Sequence, residues 1–137
     1  MKRNASAHWE GSGKEGKGTL TTQSKTLNNT QYSFSSRFEE GIGTNPEELI
    51  GAAHAGCFTM KLSFTIGAAG STPESIDTKA TVTLEDGSIN AIHLDVTAKV
   101  PGATDEQFQA WAADAKANCP VSKLFNAAIT MDAKLLS

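Results

Sequence analysis

From Lys79 to Glu85 apolar and polar residues alternate, with Ala80, Val82 and Leu84 in one phase; after Asp86-Gly87 the alternation resumes with Ile92, Leu94, Val96, Ala98 and Val100. A two-residue period puts each set on one face of a pleated strand, and Asp-Gly is a turn pair that tolerates left-handed backbone. The pattern predicts a hairpin ended by Pro101-Gly102. Beyond it the period changes. Thr104 and Gln107 make a capping box, Phe108, Trp111, Ala112 and Ala115 fall on one helical stripe, and Pro120 stops that helix just after Cys119. A short helical piece over residues 121–126 leads to a last strand, in which Ile129, Met131, Ala133 and Leu135 alternate with polar residues.

Upstream, the first third is rich in Gly, Ser, Thr and Asn and predicts strands near Ala7 to Glu10, Thr19 to Ser24 and Gln31 to Phe38, a small antiparallel sheet. In the third strand Tyr32 and Phe34 alternate with Ser33, Ser35 and Arg37, which turns Arg37 to the face opposite the aromatics. Asn45 then suits an N-cap, Pro46 the first helical position, and Glu48 the third position of a capping box. The helix that follows carries Gly51, Ala52, Ala53, Ala55 and Gly56, small enough for another backbone to approach closely, and is expected to be central. Leu49 to Gly70 is interrupted by His54 and Lys61 and diluted by glycines, which fits a buried helix better than a membrane span. Three strands, a long helix, a hairpin, one or two shorter helices and a strand make an α+β fold, paired antiparallel, in a single domain over residues 1–137.

The composition, with 39% hydrophobic and 20% charged residues, excludes disordered, collagen-like and disulfide-dense classes. A net charge of -3 with scattered Lys and Arg argues against nucleic acid or an anionic membrane and leaves a small-molecule or protein partner. No glycine-rich phosphate fingerprint is present, and the basic N-terminus is followed by no apolar core of a signal peptide, so the protein is expected to be cytoplasmic. Cys57 and Cys119 form no CxxC, and none of His8, His54 and His93 stands at ligand spacing from a cysteine or another histidine. No metal and no cofactor are expected.

A lone helical cysteine is commonly a small buried hydrophobe with a raised pKa. Three features point Cys57 the other way: Cys119 at a helix break, Arg37 as a cation on a Ser-rich segment, and Glu47 in the first turn of the long helix. A guanidinium beside a thiol favours the thiolate, and a carboxylate on that guanidinium orients it. Glu47 and Cys57 are ten residues apart, about 15 Å along one helix, and cannot touch within it. Two copies of the small-residue helix packed antiparallel across a two-fold would bring Glu47 of one near Cys57 of the other.

The stretches AHWEG at 7–11, SSRFEEGIGTNPEELIGAAHAGCF at 35–58, SIDTKATVTL at 75–84 and CPVSKLF at 119–125 resemble the osmotically inducible protein C (OsmC) family, related to the organic hydroperoxide resistance proteins. The resemblance spans nearly the whole chain, and its second and last stretches are the specific ones. It implies antiparallel sheets wrapped around long central helices in an intertwined homodimer, and thiol-dependent reduction of organic hydroperoxides. By the same resemblance Cys57 is the peroxidatic cysteine, Cys119 the resolving one, and Arg37 and Glu47 the catalytic arginine and glutamate. An external dithiol, of lipoyl type, would return the disulfide to thiols. The histidine in GAAHAGCF favours the OsmC branch.

Two other readings stay open from the residues themselves. One is a non-enzymatic binding or stress-structural dimer with inert cysteines; the other is a Cys-His hydrolase using His54, three residues before Cys57. Leu49, Phe58 and Met60 are either core or the receivers of a substrate's alkyl group. His93 is expected to be solvated, Glu48 to be a cap, and Trp9 and Trp111 to be anchors.

Overall fold

The computed structural model describes residues 1–136 and is an α+β fold in two compact units, Met1–Leu49 and a second beginning at Ile50. In the first unit β1 (Ala5–Glu10), β2 (Lys17–Thr22) and β3 (Thr30–Tyr32) pair antiparallel in that order. Gly18 lies opposite both Trp9 and Tyr32 in the register, and any side chain there would run into both rings. The two rings close over it with centroids 5.3 Å apart, and the Trp9 indole N–H donates to the Gly11 and Ser12 carbonyls.

The third strand stops at Tyr32 rather than running to Phe38, because the serines that read as a polar strand face are helix caps. The Ser33 hydroxyl accepts the Ser36 N–H, and the Ser36 hydroxyl accepts the Ser33 N–H at 2.8 Å, a reciprocal box that opens the one-turn helix α1 (Phe34–Phe38). Phe34 and Phe38, four residues apart, then pack with their rings tilted and the centroids 4.9 Å apart. Arg37 therefore stands on a helix, with its guanidinium 5.0 Å from the Phe38 ring, and not on a strand facing away from the aromatics.

The long helix α2 (Pro46–Ala68) begins where expected, with the Glu48 N–H on the Asn45 side chain at 2.8 Å. The Glu48 carboxylate takes the Thr44 hydroxyl at 2.7 Å, so the cap is made by Asn45 without the reciprocal bond a capping box requires.

In the second unit β4 (Ser75–Glu85) and β5 (Ser88–Lys99) form the predicted hairpin, with Asp86 and Gly87 at φ +50° and +76°. This is the two-residue turn whose twist suits the flanking strands. The helices α3 (Asp105–Asn118) and α4 (Pro120–Leu124) follow, then β6 (Ala128–Leu136). Thr104 and Gln107 cap α3 reciprocally, as predicted. The antiparallel expectation fails at β6, which pairs parallel to β5. The two helices carry the chain back to the end where β5 began, and a parallel partner needs that kind of crossover.

Ile92, Leu94, Val96 and Ala98 of β5, Phe58, Leu62 and Ile66 of α2, and Phe108, Ala112 and Ala115 of α3 form one buried cluster that includes Cys119. Each large side chain placed there contributes about 1.5–3 kcal/mol. Helix α2 is long and apolar enough to cross a membrane by length and composition, yet Gly51, His54, Phe58, Leu62 and Ile66 recur on one buried stripe of it. Met60 and Phe64 lie outside that stripe, 64% and 70% exposed.

Candidate active site

The first unit holds an ion pair. Arg37 Nε donates to Glu47 Oε1 at 2.8 Å, with the arginine side chain 40% exposed and the glutamate 12%. Local bonds join the two elements that carry them. The Ser36 hydroxyl donates to the Thr44 carbonyl at 2.9 Å, and the Asn45 amide donates to the Ser36 carbonyl at 3.0 Å, so α1 is laced to the start of α2. Glu47 Oε2 is buried without a hydrogen-bond partner. Arg37 engages its Nε only among the described residues, which leaves the outer edge of the guanidinium available to an anion. A cavity of about 220 Å³ adjoins it, lined by Trp9, Tyr32, Phe34, Arg37 and Phe38 among others.

The second unit holds the thiols. Cys57 on α2 and Cys119 between α3 and α4 are both free, with sulfurs 2.8 Å apart and in hydrogen-bond contact. Cys119 closes α3 through its N–H on the Ala115 carbonyl, and Pro120 then forces a new start. After that break the start of α4 acts on the sulfurs: the Val121 N–H favours ionisation of both, and the Ser122 N–H and hydroxyl favour ionisation of Cys119. Cys119 is fully buried and Cys57 half-buried.

The two thiols differ in acidity. Burial pushes Cys57 up, and the contact with Cys119 adds to the rise. Burial also opposes ionisation of Cys119, but the bonds from Cys57, Ser122 and Val121 outweigh it and hold the thiol below its usual range. Either sulfur can donate across the contact. Nothing cationic is among the influences on Cys57. The four sequence-derived residues thus fall into two pairs, Arg37 with Glu47 and Cys57 with Cys119, each inside one unit.

His54 is fully buried, with Nε2 at 2.7 Å from the Ser122 hydroxyl, the Phe125 ring edge-on at 5.4 Å, and Nδ1 without a partner. Burial lowers its pKa. The imidazole bonds Ser122 and makes no hydrogen bond to Cys57 among the described residues, so the Cys-His pair of a hydrolase is not formed. Ser122 was not singled out from the sequence; its place three residues after Cys119 in CPVS was the available signal. Of the apolar candidates near Cys57, Phe58 is core, Leu49 is half-buried and Met60 is exposed.

A second polar cluster lies on the other face of β5. His93 Nε2 is 3.1 Å from Asp132 and 3.3 Å from Asp95, and its Nδ1 is 2.6 Å from the Thr130 hydroxyl. One ligand atom each from His93, Asp95 and Asp132 fit within 4.8 Å of one another, so these are the described residues that could hold a metal ion. The parallel pairing of β6, which sequence spacing did not foresee, sets Asp132 beside Asp95.

Residues 39–134 match the family described as OsmC-like protein. The chain is 51% identical over 135 residues to the protein named peroxiredoxin OsmC of Escherichia coli K12, covering 96% of this chain and 94% of that one. Among solved structures, an OsmC-like protein of Vibrio cholerae superposes with a TM-score of 0.77 at 15% identity, over 97% of this chain and 99% of that one. The organic hydroperoxide resistance protein OhrB of Bacillus subtilis does so at 0.68 and 21%, over 97% and 98%.

Proposed function

The chain belongs to the OsmC-like protein family, and from that premise we propose that it is a cysteine-based peroxidase that reduces organic hydroperoxides to alcohols. The observation that carries the reading is the pair of free thiols in contact at 2.8 Å, one half-buried and one buried; the name peroxiredoxin borne by its half-identical relatives supports it.

In the first step the Cys57 thiolate attacks the terminal oxygen of the hydroperoxide. The O–O bond breaks, the alkoxide leaves and takes a proton as the alcohol, and Cys57 becomes a sulfenic acid. Cys119 then attacks that sulfur; a disulfide forms, and the hydroxyl departs as water. An external dithiol reduces the disulfide by exchange and closes the cycle.

The raised Cys57 thiol needs a cation for the first step, and Arg37 is the one its family likeness offers. In this reading two copies pair through their long helices, residues 1–137 act as one domain, and Arg37 of the partner protomer, oriented by its own Glu47, faces Cys57. The exposed Met60 and Phe64 on α2 suit such a homodimer. The cytoplasm, where thiols are kept reduced, suits the chemistry.

The second reading, a binding dimer with inert cysteines, is favoured by the full burial of Cys119 and the raised Cys57. One experiment separates them. Reduced protein receives a stoichiometric organic hydroperoxide without oxygen, and intact mass and free thiols are followed. The peroxidase gives a rapid Cys57–Cys119 disulfide in the wild type, a trapped sulfenic acid in Cys119→Ser and no reaction in Cys57→Ser. Persistence of both thiols in the wild type would establish the binding dimer instead.

A further inference from the structure

The outer face of β5 carries a polar cluster that neither the core nor the thiols use. Along that strand Ile92, Leu94 and Val96 enter the buried cluster with Cys119, while His93 and Asp95 alternate with them toward the opposite face. Parallel pairing sets Asp132 of β6 opposite Asp95, and Thr130 opposite His93. His93 Nε2 stands 3.1 Å from Asp132 Oδ2 and 3.3 Å from Asp95 Oδ1, and one ligand atom from each of the three residues lies within 4.8 Å of the other two. We infer that His93, Asp95 and Asp132 form a binding site for a divalent transition-metal ion, zinc in the first instance, that clips β6 to β5.

Two carboxylates opposite each other on neighbouring strands repel, and the imidazole nitrogen beside both presents a lone pair unless a proton occupies it. Acceptors that converge in this way call for a cation. The lysines that flank them in the register do not supply it. Lys79 of β4 lies opposite Asp95 and Lys134 of β6 opposite Thr97, and neither forms an ion pair with the two aspartates among the described residues.

The distances suit a metal. Zinc bonds of about 2.0–2.1 Å at tetrahedral angles set ligand atoms about 3.3 Å apart, so the His93 nitrogen already stands from each carboxylate oxygen at the spacing that two ligands of one ion keep. The other ring nitrogen is held as well. Nδ1 is 2.6 Å from the Thr130 hydroxyl, which can accept its N–H; a histidine that ligates through Nε2 needs an outer partner of that kind to fix its tautomer. One imidazole with two carboxylates fits zinc and its transition-series neighbours better than magnesium or calcium, which take oxygen ligands. The side chains of Asp95 and Asp132 are 54% and 84% exposed, which leaves the remaining coordination positions to water. The three ligands come together only in the folded chain, so binding stabilises the pairing of β5 with β6.

Zinc also seeks thiolates, so zinc chloride is titrated calorimetrically into the full-length Cys57→Ser/Cys119→Ser chain. One ion per chain is expected. His93→Gln, Asp95→Asn and Asp132→Asn are each expected to weaken binding more than about tenfold, and Thr130→Val, which removes the outer partner alone, by about tenfold. In thermal denaturation the midpoint is expected to rise with zinc in the parent and to stay in place in Asp132→Asn. Circular dichroism checks that each variant folds like the parent; one that does not is set aside, and the others decide. Absence of saturable zinc binding would leave a protonated His93 as the cation between the aspartates and overturns the site. Unchanged affinity in all three ligand variants would place the ion elsewhere and overturns it too. Neither outcome bears on the peroxidase reading, whose test follows Cys57 and Cys119.

Discussion

Arg37 meets Glu47 through one nitrogen, and Glu47 keeps a second oxygen buried with no partner. An ion pair with an arginine this exposed contributes about 0.5 kcal/mol to stability, too little to explain why a carboxylate is held 88% out of water by a single bond to it. Orientation of the guanidinium is the better account, and it gives a prediction. Arg37→Lys keeps the charge but loses the planar fork, so Cys57 oxidation is expected to slow by more than about tenfold, the scale of one well-placed catalytic contact. The melting temperature is expected to stay nearly unchanged; stopped-flow oxidation and thermal denaturation on the same samples check both. At this scale the sequence was informative where chemistry is unusual: a cation among serines, an acid in a first helical turn, a cysteine at a proline break. Ser122, and with it the true partner of His54, escaped because their contact spans 68 residues and only the folded chain creates it.

Ser36 holds α1 by two bonds, one back to the Ser33 N–H and one across to the Thr44 carbonyl. Ser36→Ala removes both from a buried position. A stability loss of about 1–2 kcal/mol is expected from denaturant unfolding, with slower Cys57 oxidation as Arg37 loses its support. The same serines explain the misread strand. Residues 31 to 38 satisfy a two-residue alternation and a helical cap with an i, i+4 aromatic pair, and the side-chain bonds decide for the helix. The hairpin at 75–99 offered no such competition, since Asp86-Gly87 and a long alternation agree. The last strand was read correctly as a strand, but periodicity says nothing of its neighbour. Its parallel partner depends on where two helices deliver the chain.

For the whole molecule, the sequence signalled a long helix able to meet another, through its small residues and apolar length. Met60 and Phe64, four apart and mostly exposed, are the side chains a partner would cover. In the proposed homodimer, Met60→Glu with Phe64→Glu is expected to yield a monomer by sedimentation. Its Cys57 should react with hydroperoxide at least about tenfold more slowly, for want of the partner's arginine. Oxidation of Cys57 to a sulfenic acid by a stronger oxidant should still be followed by disulfide formation, because both sulfurs belong to one unit. A dimer that survives the double change, or a monomer of full reactivity, would place the cation for Cys57 elsewhere.

The parallel seating of β6 also sets an order of assembly. The β4–β5 hairpin closes a two-residue loop and forms from local contacts, whereas Ala128 must find Ala91 across the whole of α3 and α4. Loop closure of that length costs more chain entropy, and such pairings are the slow steps of folding. Lys116 and Gln109 of α3 bond the β6 carbonyls of Ile129 and Ala133, so the helix that ends at Cys119 is pinned by the strand that arrives last. The two thiols, 62 residues apart in sequence, therefore meet at 2.8 Å only as α3 is set in place.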